Sequence, residues 1–189
     1  MAASTDLTTL AKVKAYLGVS GSGDDTLLEA LIDSVSEAIE HYCGREFAAK
    51  ERTEFHDGGG AASLVLRCRP VQSIASLRDD PARLFPEGSE IAPAGYVFYP
   101  EAGIVVLDGA SFSDGRRNVR VTYTAGFSAV PPAVEQAANI LAAHFYNRGR
   151  QGGDGLASES LGAYTVSYNE AEWPASAQGL LFEYREVEV

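Results

Sequence analysis

Pro131-Pro132-Ala133-Val134-Glu135-Gln136-Ala137-Ala138-Asn139-Ile140-Leu141-Ala142-Ala143-His144-Phe145-Tyr146-Asn147-Arg148-Gly149 reads as a helix from Val134 to Arg148 with both ends marked. Two prolines supply the preset φ and the missing N–H that suit a first turn, and Glu135 sits where the helix dipole favours an anion. Arg148 suits the opposite end, and Gly149 is the expected stop. Val134, Ala137, Ala138, Leu141 and Phe145 recur at steps of three and four, while Ile140 and the alanines leave the rest of the circumference small and nearly apolar. Such a helix is buried on more than one side, so it needs partners from elsewhere in the chain or from another chain.

Two further helices precede it. Leu10, Val13, Ala15, Tyr16 and Leu17 mark a short amphipathic helix after the candidate caps Ser4 to Thr9, closed by Gly18, with Lys12 and Lys14 on its wet side. Asp24-Asp25 then leads into Leu27, Leu28, Leu31, Ile32, Val35, Ala38, Ile39 and Tyr42, which hold the 3.6-residue period up to Gly44. Thr26 and Glu29 have the spacing of a capping box.

Between Lys50 and Phe127 the period changes from 3.6 to 2. Glu51–Asp57, Ser63–Arg67, Val71–Leu77, Gly95–Tyr99, Gly103–Leu107 and Asn118–Thr124 read as strands, with hairpins expected at Gly58-Gly59-Gly60-Ala61-Ala62 and at Pro100-Glu101-Ala102. Asp79 to Pro93 reads as a long exposed loop. Beyond Gly149, the glycine-rich run to Ser160 is expected to be mobile in the isolated chain. Gly162 to Tyr168 alternates like a strand, and Ala175 to Arg185 reads as a short helix weakened by Gly179. The fold class is therefore α+β, a helical bundle with an antiparallel β insertion between the second and third main helices and a C-terminal arm. Residues 1–189 are taken as a single domain, with 5–47 and 131–149 as helical core, 50–127 as insertion, and 150–189 as loop and docking arm.

At 189 residues and 46% hydrophobic content, the chain can bury one substantial core. No stretch approaches a membrane span, and Met1 to Asp6 lacks the basic start and apolar centre of a signal peptide, so a soluble protein is expected. Cys43 and Cys68 have no ligand spacing and are read as buried thiols. The net charge of −11, spread along the chain, argues against tight binding of duplex DNA but not against a surface past which DNA moves. No nucleophile elbow, zinc spacing or calcium loop appears in the sequence. His56-Asp57 beside three glycines is the one suggestive place, but neighbours on a strand point to opposite faces, so adjacency makes no dyad. Gly58-Gly59-Gly60 lacks the Lys-Ser/Thr of a phosphate loop. No catalytic, cofactor or metal residues are assigned. Arg67 and Arg69, Arg116 and Arg117 are read as solvated ends, whereas Arg148 and Arg150 remain candidates for contact with a partner.

The order of parts resembles a known family. Leu7 to Leu17, then Asp24-Asp25-Thr26-Leu27-Leu28-Glu29-Ala30-Leu31-Ile32 running to Ile39-Glu40-His41-Tyr42-Cys43-Gly44-Arg45, is similar to the start of the head–tail connector (adaptor, or head completion) proteins of long-tailed bacteriophages. Arg69-Pro70-Val71-Gln72-Ser73-Ile74, Val119 to Phe127, Pro131 to Ala138, Gly162 to Tyr168 and Leu180-Leu181 extend the likeness over nearly the whole chain. It lies in texture and order and includes no catalytic motif; the β insertion departs from the smaller, largely helical members. The resemblance implies a non-enzymatic virion protein of the neck, assembled in the host cytoplasm as a homo-oligomeric ring, commonly twelve-fold. Such a ring lies under the portal protein, encloses the DNA channel without specific binding, and gives tail, stopper or tail-terminator proteins a platform. Related rings occur in phage-derived gene-transfer particles. The competing readings are an enzyme with a dispersed active site and a monomeric adaptor or regulatory module. Candidate partner-binding residues are Arg148, Arg150, Tyr164, Tyr168, Trp173, Leu180, Leu181, Phe182 and Tyr184, with the alternative that this end folds back on its own core.

Overall fold

Helices α1 (Leu10–Leu17) and α2 (Asp25–Cys43) lead into strands β1 (Lys50–His56), β2 (Ser63–Val65), β3 (Val71–Asp79), β4 (Tyr96–Tyr99), β5 (Ile104–Leu107) and β6 (Val119–Ala125), followed by α3 (Pro132–Gln151) and α4 (Ala175–Leu181). This is a computed structural model that describes residues 6–151 and 173–186. The fold is α+β. The chain forms two compact units, Met1–Phe47 with Val130–Val189, and Ala48–Ala129. The sequence reading treats the chain as one domain; the β segment instead closes a core of its own.

In the helical unit, α3 packs against each of α1, α2 and α4. Val134, Ala137, Ala138, Leu141, Ala142, Phe145 and Tyr146 are buried, and so are Asn139 and Ala143. The small residues let three helices approach one, which is the physical content of the all-round apolar pattern. Facing α3, the α2 ridge of Leu28, Leu31, Ile32, Val35 and Ile39 is buried, at about 1.5–3 kcal/mol for each large side chain removed from water. Capping is local. Thr9 Oγ1 accepts from the Lys12 N–H at 3.4 Å, and Gly18 closes α1 in the left-handed region at φ 68°. α2 begins one residue before Thr26, with Asp24 at its cap and no side-chain cap bond, so the Thr26–Glu29 capping box does not form. α3 does not stop at Gly149 but runs on to Gln151. A lone glycine in a helix costs only about 1 kcal/mol, and Arg150 is tied from its far end to Asp24.

The β unit holds two three-stranded antiparallel sheets, ordered β1-β6-β3 and β2-β5-β4. Alternation along β6 buries Val119, Val121, Tyr123 and Ala125 and leaves Arg120, Thr122 and Thr124 on the other face. Leu64, Leu66, Val71, Leu77, Val105, Leu107 and Phe112 complete that core. The hairpin at Pro100–Ala102 forms, since β4 and β5 pair from Tyr99↔Ile104 to Tyr96↔Leu107. The hairpin expected at Gly58–Ala62 does not: β1 pairs with β6 and β2 with β5. Gly58 serves close approach instead, because a Cβ there would lie 2.1 Å from the Ser113 carbonyl oxygen, while its N–H donates to Asn118 Oδ1 at 2.9 Å. Gly126, at φ 117° with Ala48 O 2.5 Å from any added Cβ, has the same restriction. Cys43 is buried, and burial pushes its thiol up to about 12, whereas Cys68 is half-buried.

Candidate interaction surfaces

The groups most like catalytic chemistry converge on Glu54. His56 Nε2 lies 2.9 Å from Glu54 Oε2, and the Tyr123 hydroxyl donates to Glu54 Oε1 at 2.5 Å. The Arg67 N–H donates to Glu54 Oε2 at 3.2 Å, and the Cys68 N–H donates to the Tyr123 oxygen at 3.2 Å. Burial pushes the Glu54 carboxyl up, but these donors outweigh it and leave it below the ordinary value. Burial, with the hydrogen bond to Glu54, pushes the Tyr123 hydroxyl well above its ordinary range. Tyr123 is fully buried and its oxygen is committed to Glu54 and the Cys68 amide, so that oxygen is not presented to a substrate. The cluster fastens the 66–68 turn to β1 and β6. His56 and Asp57 do not pair: Asp57 Oδ1 accepts from the Arg117 N–H at 2.7 Å. The legible signal was Glu-x-His on one face of a strand, one residue away from the pair that drew attention. Among the described residues, no group of three or more His, Cys, Asp or Glu is placed to hold a metal ion.

On the opposite face of the same sheet lies an aromatic and arginine surface. Register pairs Phe55 with Arg120 and Arg120 with Arg78, in a row on the face away from the β core. Phe85 packs on Phe55 with ring centroids 5.6 Å apart; the Arg120 guanidinium lies 4.8 Å over Phe85, and that of Arg117 lies 5.4 Å over Phe55. Asp80 organises the loop between β3 and β4 by accepting from the N–H groups of Ala82, Leu84 and Phe85 at 3.0, 2.7 and 2.8 Å. The Phe85 N–H foremost, helped by the other two, holds the Asp80 carboxyl below its ordinary value. The loop is thereby held with Phe85 buried and Leu84 outward at 82% exposure. Among the described residues, Arg83, Phe85 and Arg117 are the non-glycine residues with positive φ, at 60°, 52° and 52°. All three belong to this surface. Such conformations cost roughly 1–3 kcal/mol each and persist only where the surroundings over-determine them.

In the helical unit, Asp24 Oδ2 accepts from the Tyr146 hydroxyl at 2.7 Å and from Arg150 Nη1 at 3.2 Å. Arg150 therefore ties α3 to the start of α2, and Arg148 is exposed on the same last turns. Thr8, Thr9, Leu10 and Ile32 line a pocket of about 610 Å³ together with three carboxylates, Asp6, Glu29 and Asp33. Burial first, then the hydrogen bond to Asp6 and the charges of Asp6 and Glu29, push the Asp33 carboxyl up. Charge, which reads as spread along the sequence, is gathered by the fold. Met1–Phe47 with Val130–Val189 contains 16 Asp and Glu against 6 Lys and Arg, and Ala48–Ala129 contains 10 against 9.

The C-terminal candidates separate. Trp173 and Leu181 are 5% and 0% exposed, with Trp173 5.1 Å from the Tyr42 ring, which corrects their reading as anchors open to a partner. They are buried because α4 lies on α3. Leu180 and Tyr184 are half-buried, Tyr184 with its ring 5.9 Å from Phe47, and Phe182 is 71% exposed. Tyr164 and Tyr168 lie outside the described residues. His144, read as a packing residue, is half-buried with its ring edge on Phe145.

The polar cluster on Glu54 is part of the β-unit framework of an α+β protein. The model of the head completion protein family matches residues 6–187, and the chain belongs to that family. The resemblance to head–tail connector proteins therefore holds. No curated protein sequence matches this one. Among solved structures, the fold is similar to a chain in the neck of an empty gene transfer agent (GTA) particle computed with C6 symmetry, at 20% identity and TM-score 0.62. It is also similar to one in the neck of the native GTA particle computed with C12 symmetry, at 20% identity and TM-score 0.60. A third, from the virion of the native GTA particle, has 21% identity and TM-score 0.62. Each likeness covers 100% of this chain and 94% of the other. Among the described residues, no helix is long and apolar enough to cross a membrane.

Proposed function

We propose that this protein is a non-enzymatic structural subunit of the neck of a phage or phage-like particle. It assembles in the host cytoplasm as a connector-type bundle with a β insertion, closing twelve copies into a ring under the portal protein. The ring encloses the channel through which DNA passes and gives tail, stopper or tail-terminator proteins their platform. The observation that carries the reading is the family match over residues 6–187, joined by a full-length likeness in fold to a neck chain of a particle solved with C12 symmetry.

The chemistry supports it. A helical unit with 16 acidic against 6 basic residues repels phosphates, so a duplex slides past rather than being held. Phe182, with Arg148 exposed on the last turns of α3, is the surface we assign to neighbouring neck proteins. Removal of the protein from an assembling particle tests the role. DNA-filled heads without tails are expected; tails joined normally to such heads would overturn it.

A further inference from the structure

The four guanidiniums of Arg83, Arg116, Arg117 and Arg120 have no carboxylate partner among the described residues. Four acidic side chains of this unit, Asp57, Asp79, Asp80 and Glu90, are held by other donors. Asp57 accepts from the Arg117 N–H at 2.7 Å, and Asp79 accepts from the Ser113 N–H and the Asn118 amide at 2.6 and 3.1 Å. Asp80 holds three loop amides, and Glu90 is paired with Arg78 at 3.1 Å. What faces outward is an apolar centre, Leu84 at 82% and Phe55 at 37% exposure, with guanidiniums at its rim that are not ion-paired among the described residues. An apolar centre with arginines at its rim is the anatomy of a protein contact, and Arg and aromatic side chains are its usual anchors. All the non-glycine left-handed residues among those described are concentrated here, so the strained backbone marks a surface kept for use.

We infer that this surface, built from Phe55, Arg83, Leu84, Arg117 and Arg120, docks on the acidic α1–α2 pocket of a second copy, around Asp6, Glu29 and Asp33. The inference rests on the ring reading above and specifies its subunit contact. Charge decides the pairing. Two helical units, each with 16 acidic against 6 basic residues, repel one another, whereas the β unit at 10 against 9 does not oppose the approach. The favourable contact joins unlike surfaces, and a contact of unlike surfaces is heterologous, the kind that generates rings. The pocket suits the surface chemically: its carboxylates meet guanidiniums, and Leu10 and Ile32 offer apolar floor to Leu84. Burial and its acidic neighbours raise the Asp33 carboxyl, and among the described residues no cation is paired with it.

Charge reversal on each side tests this in the full-length protein, imaged by negative-stain microscopy with and without portal protein. R83E/R117E and E29R/D33R change exposed side chains, and unchanged thermal melts check that both variants fold. Each variant alone is expected to lose rings; mixing the two restores an opposite-charge contact on both sides of every subunit and should give rings in which the variants alternate, and one chain carrying all four reversals should also regain rings. If both variants form rings as the wild type does, the interface is wrong and the ring reading stands. If the wild type forms no ring in any condition, both fall. Should the wild-type protein bind duplex DNA with a steep salt dependence that R83E/R117E abolishes, the surface holds phosphates and the inference is overturned.

Discussion

The Thr8 hydroxyl donates to Asn139 Oδ1 at 2.7 Å across 131 residues of sequence, and both side chains are buried. This bond fixes the start of α1 on the middle of α3, beside the Leu7 N–H that donates to Ser36 Oγ at 3.0 Å. Asn139→Ala leaves a buried hydroxyl unpaired and should cost about 1–3 kcal/mol in denaturant melts. Thr8→Val with Asn139→Leu removes both partners and should cost less than the two single changes together. Strict additivity would show that the two residues do not act as a pair.

The apolar ridge behind that bond carries a larger effect. Leu31 and Leu141 are 1% and 0% exposed, so either change to Ala should cost about 2–5 kcal/mol. Melts showing no loss for either would contradict their place in the core.

Acid should weaken the β unit through Glu54. Its folded carboxyl titrates below the ordinary value because His56, Tyr123 and the Arg67 N–H stabilise the anion against burial. A group depressed on folding contributes stability above its unfolded pKa of about 4.3, and that contribution is lost as pH falls through the lower folded pKa. Stability measured against pH should therefore fall in this acid window, and Glu54→Gln should flatten the fall. An identical slope in wild type and variant would remove Glu54 as its source.

A chain ended after Gly149 should lose its cooperative melt or aggregate. The cut removes Trp173, Ala177 and Leu181, at 5%, 0% and 0% exposure, and uncovers the face of α3 on which α4 lies. An unchanged melting temperature would mean that this end serves a partner alone.

Helices were legible because each carried its period and its stop: Leu28, Leu31, Ile32 and Val35 named the buried face of α2, and Gly44 its end. Strand partners were not legible. Alternation in Glu51 to His56 says which residues share a face, but nothing local says that the strand pairs with Val119 to Ala125. The triple glycine carried turn chemistry, yet Gly58 is required for its approach to Ser113 and Asn118. At the candidate surface, Arg116 and Arg117 stood out as a pair, whereas Arg78, Arg83 and Arg120 reach them only through sheet register and a loop folded on Asp80. Positive φ at Arg83, Phe85 and Arg117 has no signature in residue types that avoid it. The division of charge was hidden because the helical unit is assembled from both ends of the sequence.

The most direct test is rotational averaging of negative-stain images of the purified protein bound to its portal. A closed ring with twelve-fold symmetry and an open central channel is the predicted result. Portal particles bare of this protein, or carrying it only as isolated copies, would contradict the account.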